Sequence, residues 1–166
     1  MTISGFTFVR NASLLYIPVK EAIESILPIC DEFVVALSKS DDDTEAILHS
    51  IQSDKIKIIH TEWKTDEYPK NTEFARQTDI AKEGCSGDWL FYIQGDEAIH
   101  ENDLPKIKSA CEQGLNNTNV DGFLFDYLHF WGDYEHYHKS HTWYPKEIRI
   151  IRNNPKIHSW KDAQSF

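Results

Sequence analysis

From its first residues the chain alternates short apolar runs with stretches in which apolar residues recur every three or four positions. Ile3 to Val9 is rich in β-branched and aromatic residues and predicts a strand. Pro18 suits the first turn of a helix, and Val19, Ala22, Ile23, Ile26 and Leu27 follow at helical spacing until Pro28 ends the pattern. Glu32 to Leu37 predicts a buried strand, Thr44 to Ile51 a short helix and Ile56 to His60 another strand. Asn71 or Thr72 can cap a helix running to about Glu83, with Gly84 as its stop. Trp89 to Ile93 is a fourth strand, Leu104 to Gln113 a helix, and Gly122 to Phe130 and Glu147 to Ile151 are strand-like.

Apolar strands separated by helices predict an α/β fold with a mostly parallel sheet covered on both faces. Ligands of such sheets sit at the carboxyl ends of the strands. Three polar clusters fall at those ends: Arg10-Asn11, Ser38 to Asp43, and Gln94 to Glu97. Asp96 and Glu97 end a run of aromatic and apolar residues. Carboxylates there can hold Mg²⁺ or Mn²⁺, since hard cations take oxygen ligands and bridge to phosphates. The same Gly-Asp-Glu run also reads as a plain exposed turn.

Composition narrows the partners. The chain has 166 residues, enough for one ordinary domain, and a formal net charge of −10. That charge argues against a nucleic-acid binder, which needs a basic stripe. It leaves room for a phosphate-bearing small molecule held by local cations or a metal. The N-terminus has no signal-peptide pattern and no apolar run is long enough to span a membrane, so a cytoplasmic protein is expected, with peripheral association at the inner face of a membrane also open. Cys30, Cys85 and Cys111 are widely spaced and odd in number, which predicts reduced, mostly buried thiols.

In order and spacing these motifs resemble a family 2 glycosyltransferase, the group with a GT-A fold that transfers sugars from nucleotide donors. Phe6 to Asn11 resembles that family's first strand and its Asn-containing turn. Glu32 to Val35, followed by Ser40-Asp41-Asp42-Asp43-Thr44, resembles the second strand and its carboxylate-rich loop. Ala75-Arg76-Gln77 stands where the family tends to have Ala-Arg-Asn, and Gly87 to Glu97 stands where a Gly-Asp pair, a strand and a DxD motif occur. The likeness covers roughly Ile3 to Leu104. It departs at Gln94, which replaces the first Asp of DxD, and at Leu37 and Ser38, which stand where base-contacting carboxylates usually lie.

The resemblance implies one GT-A-like domain over 1–166. Residues 1–104 would form the donor part, and 105–166 an acceptor-side part shorter than usual and open to truncation. It implies inverting transfer of a sugar from a nucleoside-diphosphate donor to an acceptor hydroxyl, as in polysaccharide biosynthesis, on a glycan or lipid-linked acceptor. Phe8, Arg10, Asn11, Ser38, Asp41, Asp42, Arg76 and Gln94 would then meet the nucleotide. Asp96 would hold the Mg²⁺ or Mn²⁺, with Glu97 and His158 as further ligands. Arg76 also fits a helical ion pair with Glu73 or Asp79.

The last third is dense in rings and histidines. Trp131 and Trp143 suit the apolar face of an acceptor sugar, and equally suit a core under a long loop. His136, His138 and His141 make a weak zinc pattern, since the first two share a face only if the segment is extended. Asp126, Asp133, Glu135 and Asp162 are the candidate catalytic bases, and Asp162 is preferred because the chain can return to the cleft after Glu147 to Ile151. Two other functions stay open. One is a binding module of the same fold without catalysis. The other is a nucleotidyltransferase, although Arg10-Asn11-Ala12-Ser13 lacks that class's glycine-rich loop.

Overall fold

The computed structural model describes residues 1–70, 72–138 and 144–166. The readings placed on Asn71, His141 and Trp143 therefore lie outside the described residues. The chain runs β1 (Ile3–Val9), α1 (Val19–Ile26), β2 (Glu32–Ser38), α2 (Thr44–His49), β3 (Ile56–Thr61), α3 (Thr72–Glu83), β4 (Trp89–Tyr92), α4 (Leu104–Leu115), β5 (Gly122–Asp126), β6 (His129–Trp131), β7 (Asp133–His138) and β8 (Lys146–Arg152). Six strands form one sheet in the order β3-β2-β1-β4-β8-β5, and β6 and β7 form a separate ribbon. The β1, β2, β3 and β4 pairings are parallel, and β8 runs antiparallel to both of its neighbours. The mostly parallel α/β sheet follows the pattern of the sequence.

Side-chain alternation sends each strand's apolar residues to both faces. Ile3, Val9, Phe33, Val35, Leu37, Trp89 and Phe91 meet α1, α2 and α4 on one face. Phe6, Val34, Ala36, Leu90 and Tyr92 meet α3 and the C-terminal segment on the other. The α1 stripe is Val19, Ala22, Ile23 and Ile26, all buried, and Pro18 stands just before its first turn. The Trp89 indole donates to the Cys111 carbonyl at 3.0 Å and fastens α4 to β4. Cys30 and Cys111 are buried and Cys85 half-buried, all free, and burial pushes each thiol up to about 12.

At the start of β2, Glu32 joins three elements. It accepts from Ser4 Oγ at 2.6 Å, from the Ser86 amide at 2.6 Å and from Lys57 Nζ. Burial pushes this carboxyl up, but the Lys57, Ser4 and Ser86 hydrogen bonds outweigh it and hold it at about 2 against an ordinary 4.5. A carboxyl depressed on folding stabilises the fold above its unfolded pKa, and that contribution is lost as pH falls from about 4.5 to about 2. Glu32→Gln is expected to cost roughly 2–3 kcal/mol at pH 7 and to remove that part of the acid-induced loss, read by urea denaturation at a series of pH values.

The strand expected over Gly122 to Phe130 is two strands. Backbone pairing with β8 ends at Asp126, and Tyr127 then turns its hydroxyl toward Glu97. The ribbon that follows does not fill a core: Trp131 is 65% exposed and Tyr134 is 87% exposed. Its rings pair with one another instead, Phe130 with Tyr134 and Trp131 with His138.

Candidate active site

Because β1, β2 and β4 are parallel neighbours, their C-terminal ends open on one edge, and the three polar clusters meet there. The loops after β1 and β2 are sewn together. The Asp41 amide donates to Asn11 Oδ1 at 2.9 Å, the Asn11 amide to Ser40 Oγ at 3.0 Å, and the Leu14 amide to Asp42 Oδ2 at 2.7 Å. Thr44 Oγ1 donates to Asp42 Oδ1 and accepts from the Ala12 amide at 2.7 Å. Burial raises the Asp42 carboxyl, and the Thr44 and Leu14 hydrogen bonds outweigh it, so it is held below its usual range. Asn11 has φ of 50°, a left-handed conformation that asparagine tolerates.

Two cavities open along this edge. One of about 420 Å³ lies beyond β2 and β3, lined by Ser38, Ser40, Asp42 and Thr61 among others. Ser38 is fully buried, its hydroxyl 2.8 Å from Thr61 Oγ1. The second, of about 350 Å³, lies between the ends of β1 and β4 and gathers Phe8, Arg10, Gln94, Asp96 and Asp162. Phe8, Trp63 and Phe74 form an aromatic cluster in its lining, with centroids 5.6–6.1 Å apart. The Arg10 guanidinium lies over the Trp63 ring at 5.1 Å, and its Nε is buried with no hydrogen-bond partner. Asp162 comes from a turn far along the sequence from Asp96, yet lines the same cavity.

The acidic turn is tight. Glu97's amide donates to the Gln94 carbonyl at 3.1 Å, and any side chain at Gly95 would press on Ile17, whose methyl lies 2.7 Å from the position of an added Cβ. This geometry separates the two carboxylates. Asp96 is exposed at the cavity, whereas Glu97 turns toward β8. There Arg149 Nε donates to Glu97 Oε2 at 2.9 Å and Nη2 to Oε1 at 2.7 Å, while the Tyr127 hydroxyl donates to Oε1 at 2.8 Å. The Gln94 amide also donates to Oε2, at 3.0 Å. Burial raises the Tyr127 phenol far above its ordinary range, and the Glu97 charge adds to this, so the hydroxyl remains a donor.

The remaining candidates lie elsewhere. Arg76 forms a fork with Glu73, Nε to Oε2 at 2.9 Å and Nη2 to Oε1 at 2.7 Å, and donates to the Glu62 carbonyl at 2.6 Å. It lies over the Tyr68 ring and lines neither cavity. The ion pair with Glu73 is the helical one open from sequence, but Glu73 is buried, not solvated. His158 is exposed, with Nδ1 3.3 Å from Asp79 Oδ2. Trp131 stands on the ribbon. His136 lies on extended β7 and pairs with Asp133 at 2.8 Å. Among the described residues no group of three or more His, Cys, Asp or Glu side chains is arranged to hold a metal by itself.

Arg149 and Tyr127 escaped sequence reading. One signal was available: Arg149 stands between Ile148 and Ile150-Ile151 in β8, and a charge set among isoleucines calls for a buried partner.

No family model matches the chain. Two curated relatives, each named an uncharacterized glycosyltransferase, come from Rickettsia conorii (strain ATCC VR-613 / Malish 7) and Rickettsia felis (strain ATCC VR-1525 / URRWXCal2). They are 28% and 27% identical over 122 residues, which is 74% of this chain. The chain spans 37% of the length of each. Among solved structures, glucosyl-3-phosphoglycerate synthase from Mycobacterium tuberculosis, in complex with Mn²⁺, UDP and phosphoglyceric acid, superposes with a TM-score of 0.52. It is 20% identical, over 79% of this chain and 44% of that one. S. aureus TarS 1-349 in complex with UDP-GlcNAc gives a TM-score of 0.51 at 18% identity, over 68% of this chain and 32% of that one. The fold is GT-A-like, and the chain resembles glycosyltransferases in sequence as well as in fold.

Proposed function

We propose that this chain forms the donor side of a glycosyltransferase that moves a sugar from a nucleoside-diphosphate carrier to an acceptor hydroxyl with inversion. The observation that carries the reading is the second cavity, where Arg10, Gln94, Asp96 and Asp162 converge from distant parts of the sequence. The nucleoside occupies the neighbouring cavity beyond β2 and β3, against Ser38 and the loop that Asp42 and Asn11 hold in shape. The diphosphate then reaches Arg10, whose unpartnered buried Nε a phosphate oxygen would satisfy.

A hard divalent cation fits this donor set. Asp96 is an exposed carboxylate beside the diphosphate position, and Mg²⁺ or Mn²⁺ is commonly held by one or two carboxylates plus substrate phosphates. When bound, the ion neutralises charge on the leaving diphosphate. Glu97 and His158 stand outside this ligand set. The Glu97 oxygens are committed to Arg149, Tyr127 and Gln94, and His158 rests against Asp79. Arg76, committed to Glu73, stands outside the nucleotide's contacts. Asp162 takes the proton of the acceptor hydroxyl as that oxygen attacks the sugar from the side opposite the diphosphate. Trp131, exposed on its ribbon, offers a flat face to an acceptor glycan.

The nucleotide is identified by calorimetry with UDP, GDP, CMP and dTDP, each with Mn²⁺ and in EDTA. One of them is expected to bind at least tenfold more tightly with Mn²⁺. If none binds under either condition, the donor-site reading is wrong.

A further inference from the structure

Two parts of the cavity come from segments with no direct sequence link: the acidic turn carrying Asp96 and the terminal turn carrying Asp162. Arg149 connects them. It is 1% exposed and lies between the rings of Tyr92, at 5.4 Å, and Tyr127, at 5.2 Å. Its Nε and Nη2 grip Glu97, the residue after Asp96, and its Nη1 donates to the carbonyl of Gln164, two residues after Asp162, at 2.6 Å. A second strap runs the same way, with Gln94 Nε2 donating to the Ala163 carbonyl at 3.1 Å.

The terminal turn needs such straps. Lys161 and Ala163 have φ of 52° and 64°, left-handed conformations that a side chain other than glycine adopts only when its surroundings hold it there. Within the turn, Trp160 and Ser165 share one backbone bridge, the Trp160 amide donating to the Ser165 carbonyl at 2.9 Å. Phe166 anchors its end against Phe6 and Tyr92. The only guanidinium spanning both segments, among the described residues, is that of Arg149.

We propose that Arg149 is a positioning residue that couples the two carboxylates of the cavity, holding the Asp96 turn and the Asp162 turn in one geometry. This rests on the function proposed above. The test compares the wild-type chain with the double variant Arg149→Met/Glu97→Met. Removing both partners leaves no stranded buried charge, so this variant is expected to keep its fold. Two readouts are taken: hydrogen exchange of the amides of residues 161–166, and calorimetric affinity in Mn²⁺ and in EDTA for whichever of UDP, GDP, CMP and dTDP the wild-type chain binds best.

In the double variant those amides exchange at least tenfold faster while β1 and β2 amides are unchanged. The Mn²⁺-to-EDTA ratio of nucleotide affinity falls at least tenfold while affinity in EDTA stays within twofold. A purely structural loss would weaken both affinities together and loosen β1 and β2 as well. Wild-type protection of 161–166 in the variant overturns the tether, and an unchanged affinity ratio overturns the coupling. Arg149→Lys, which keeps a charge beside Glu97 but has no fork to span both segments, gives the same readouts should the double variant not fold. Should wild-type chain bind none of UDP, GDP, CMP and dTDP, the function reading fails, and the exchange measurement alone decides the tether.

Discussion

On the function proposed above, Asp162→Asn is expected to lower the turnover of sugar transfer by about 10²–10⁴-fold, the range for loss of a general base, and to leave nucleotide affinity within twofold. The asymmetry follows from position. Asp162 lines the cavity beside Gln94 and Asp96 but lies away from the neighbouring cavity assigned to the nucleoside. The amide of asparagine keeps the shape of the carboxylate and cannot accept a proton from a hydroxyl at neutral pH. Steady-state rates at saturating donor and acceptor, with calorimetric nucleotide affinity, separate the two effects. The other acidic candidates stand apart from this cavity: Asp126 pairs with Lys146, Asp133 with His136, and Glu135 lies exposed on β7. Full turnover in Asp162→Asn would remove this residue from the mechanism.

Arg149→Met alone is expected to destabilise the fold by about 3–5 kcal/mol, because it strands the Glu97 carboxylate in a buried site. Glu97 would keep only the Tyr127 hydroxyl and the Gln94 amide, and the Gln164 carbonyl would lose its strongest donor. Against a total stability of about 5–15 kcal/mol, that loss brings the chain close to unfolding at 37 °C. Adding Glu97→Met to it recovers most of the loss, since the charge that could not be solvated is then gone. Urea denaturation of the two single variants and the double variant gives the coupling. Additive losses would mean that the pair is not held as the distances imply.

The sheet was legible because its signals are local. The short apolar runs of β1 and β2, the helical stripe of α1, and Pro18 and Gly84 at element ends follow from neighbours in sequence. The polar strand ends were legible for the same reason, and parallel pairing then brings them together. What stayed hidden depends on distant partners. No spacing rule relates Glu97 to Arg149, 52 residues away, and that pairing sends Glu97 away from Asp96. The division of Gly122 to Phe130 was hidden likewise. Its residues are continuously strand-like, and the break comes where Tyr127 reaches across to Glu97. The rings of the β6–β7 ribbon looked like core because aromatics usually are; their exposure depends on a hairpin that leaves the main sheet.

The function proposed above requires the carboxyl edge to bind a nucleoside diphosphate through a metal held at Asp96. The nucleoside diphosphate that the wild-type chain binds best, titrated calorimetrically into wild-type chain and into Asp96→Asn, in Mn²⁺ and in EDTA, tests it most directly. Mn²⁺ is expected to tighten binding at least tenfold in the wild type and to leave binding by Asp96→Asn equal to its value in EDTA. Equal affinity with and without Mn²⁺ in the wild type, or a full Mn²⁺ effect in Asp96→Asn, would contradict it.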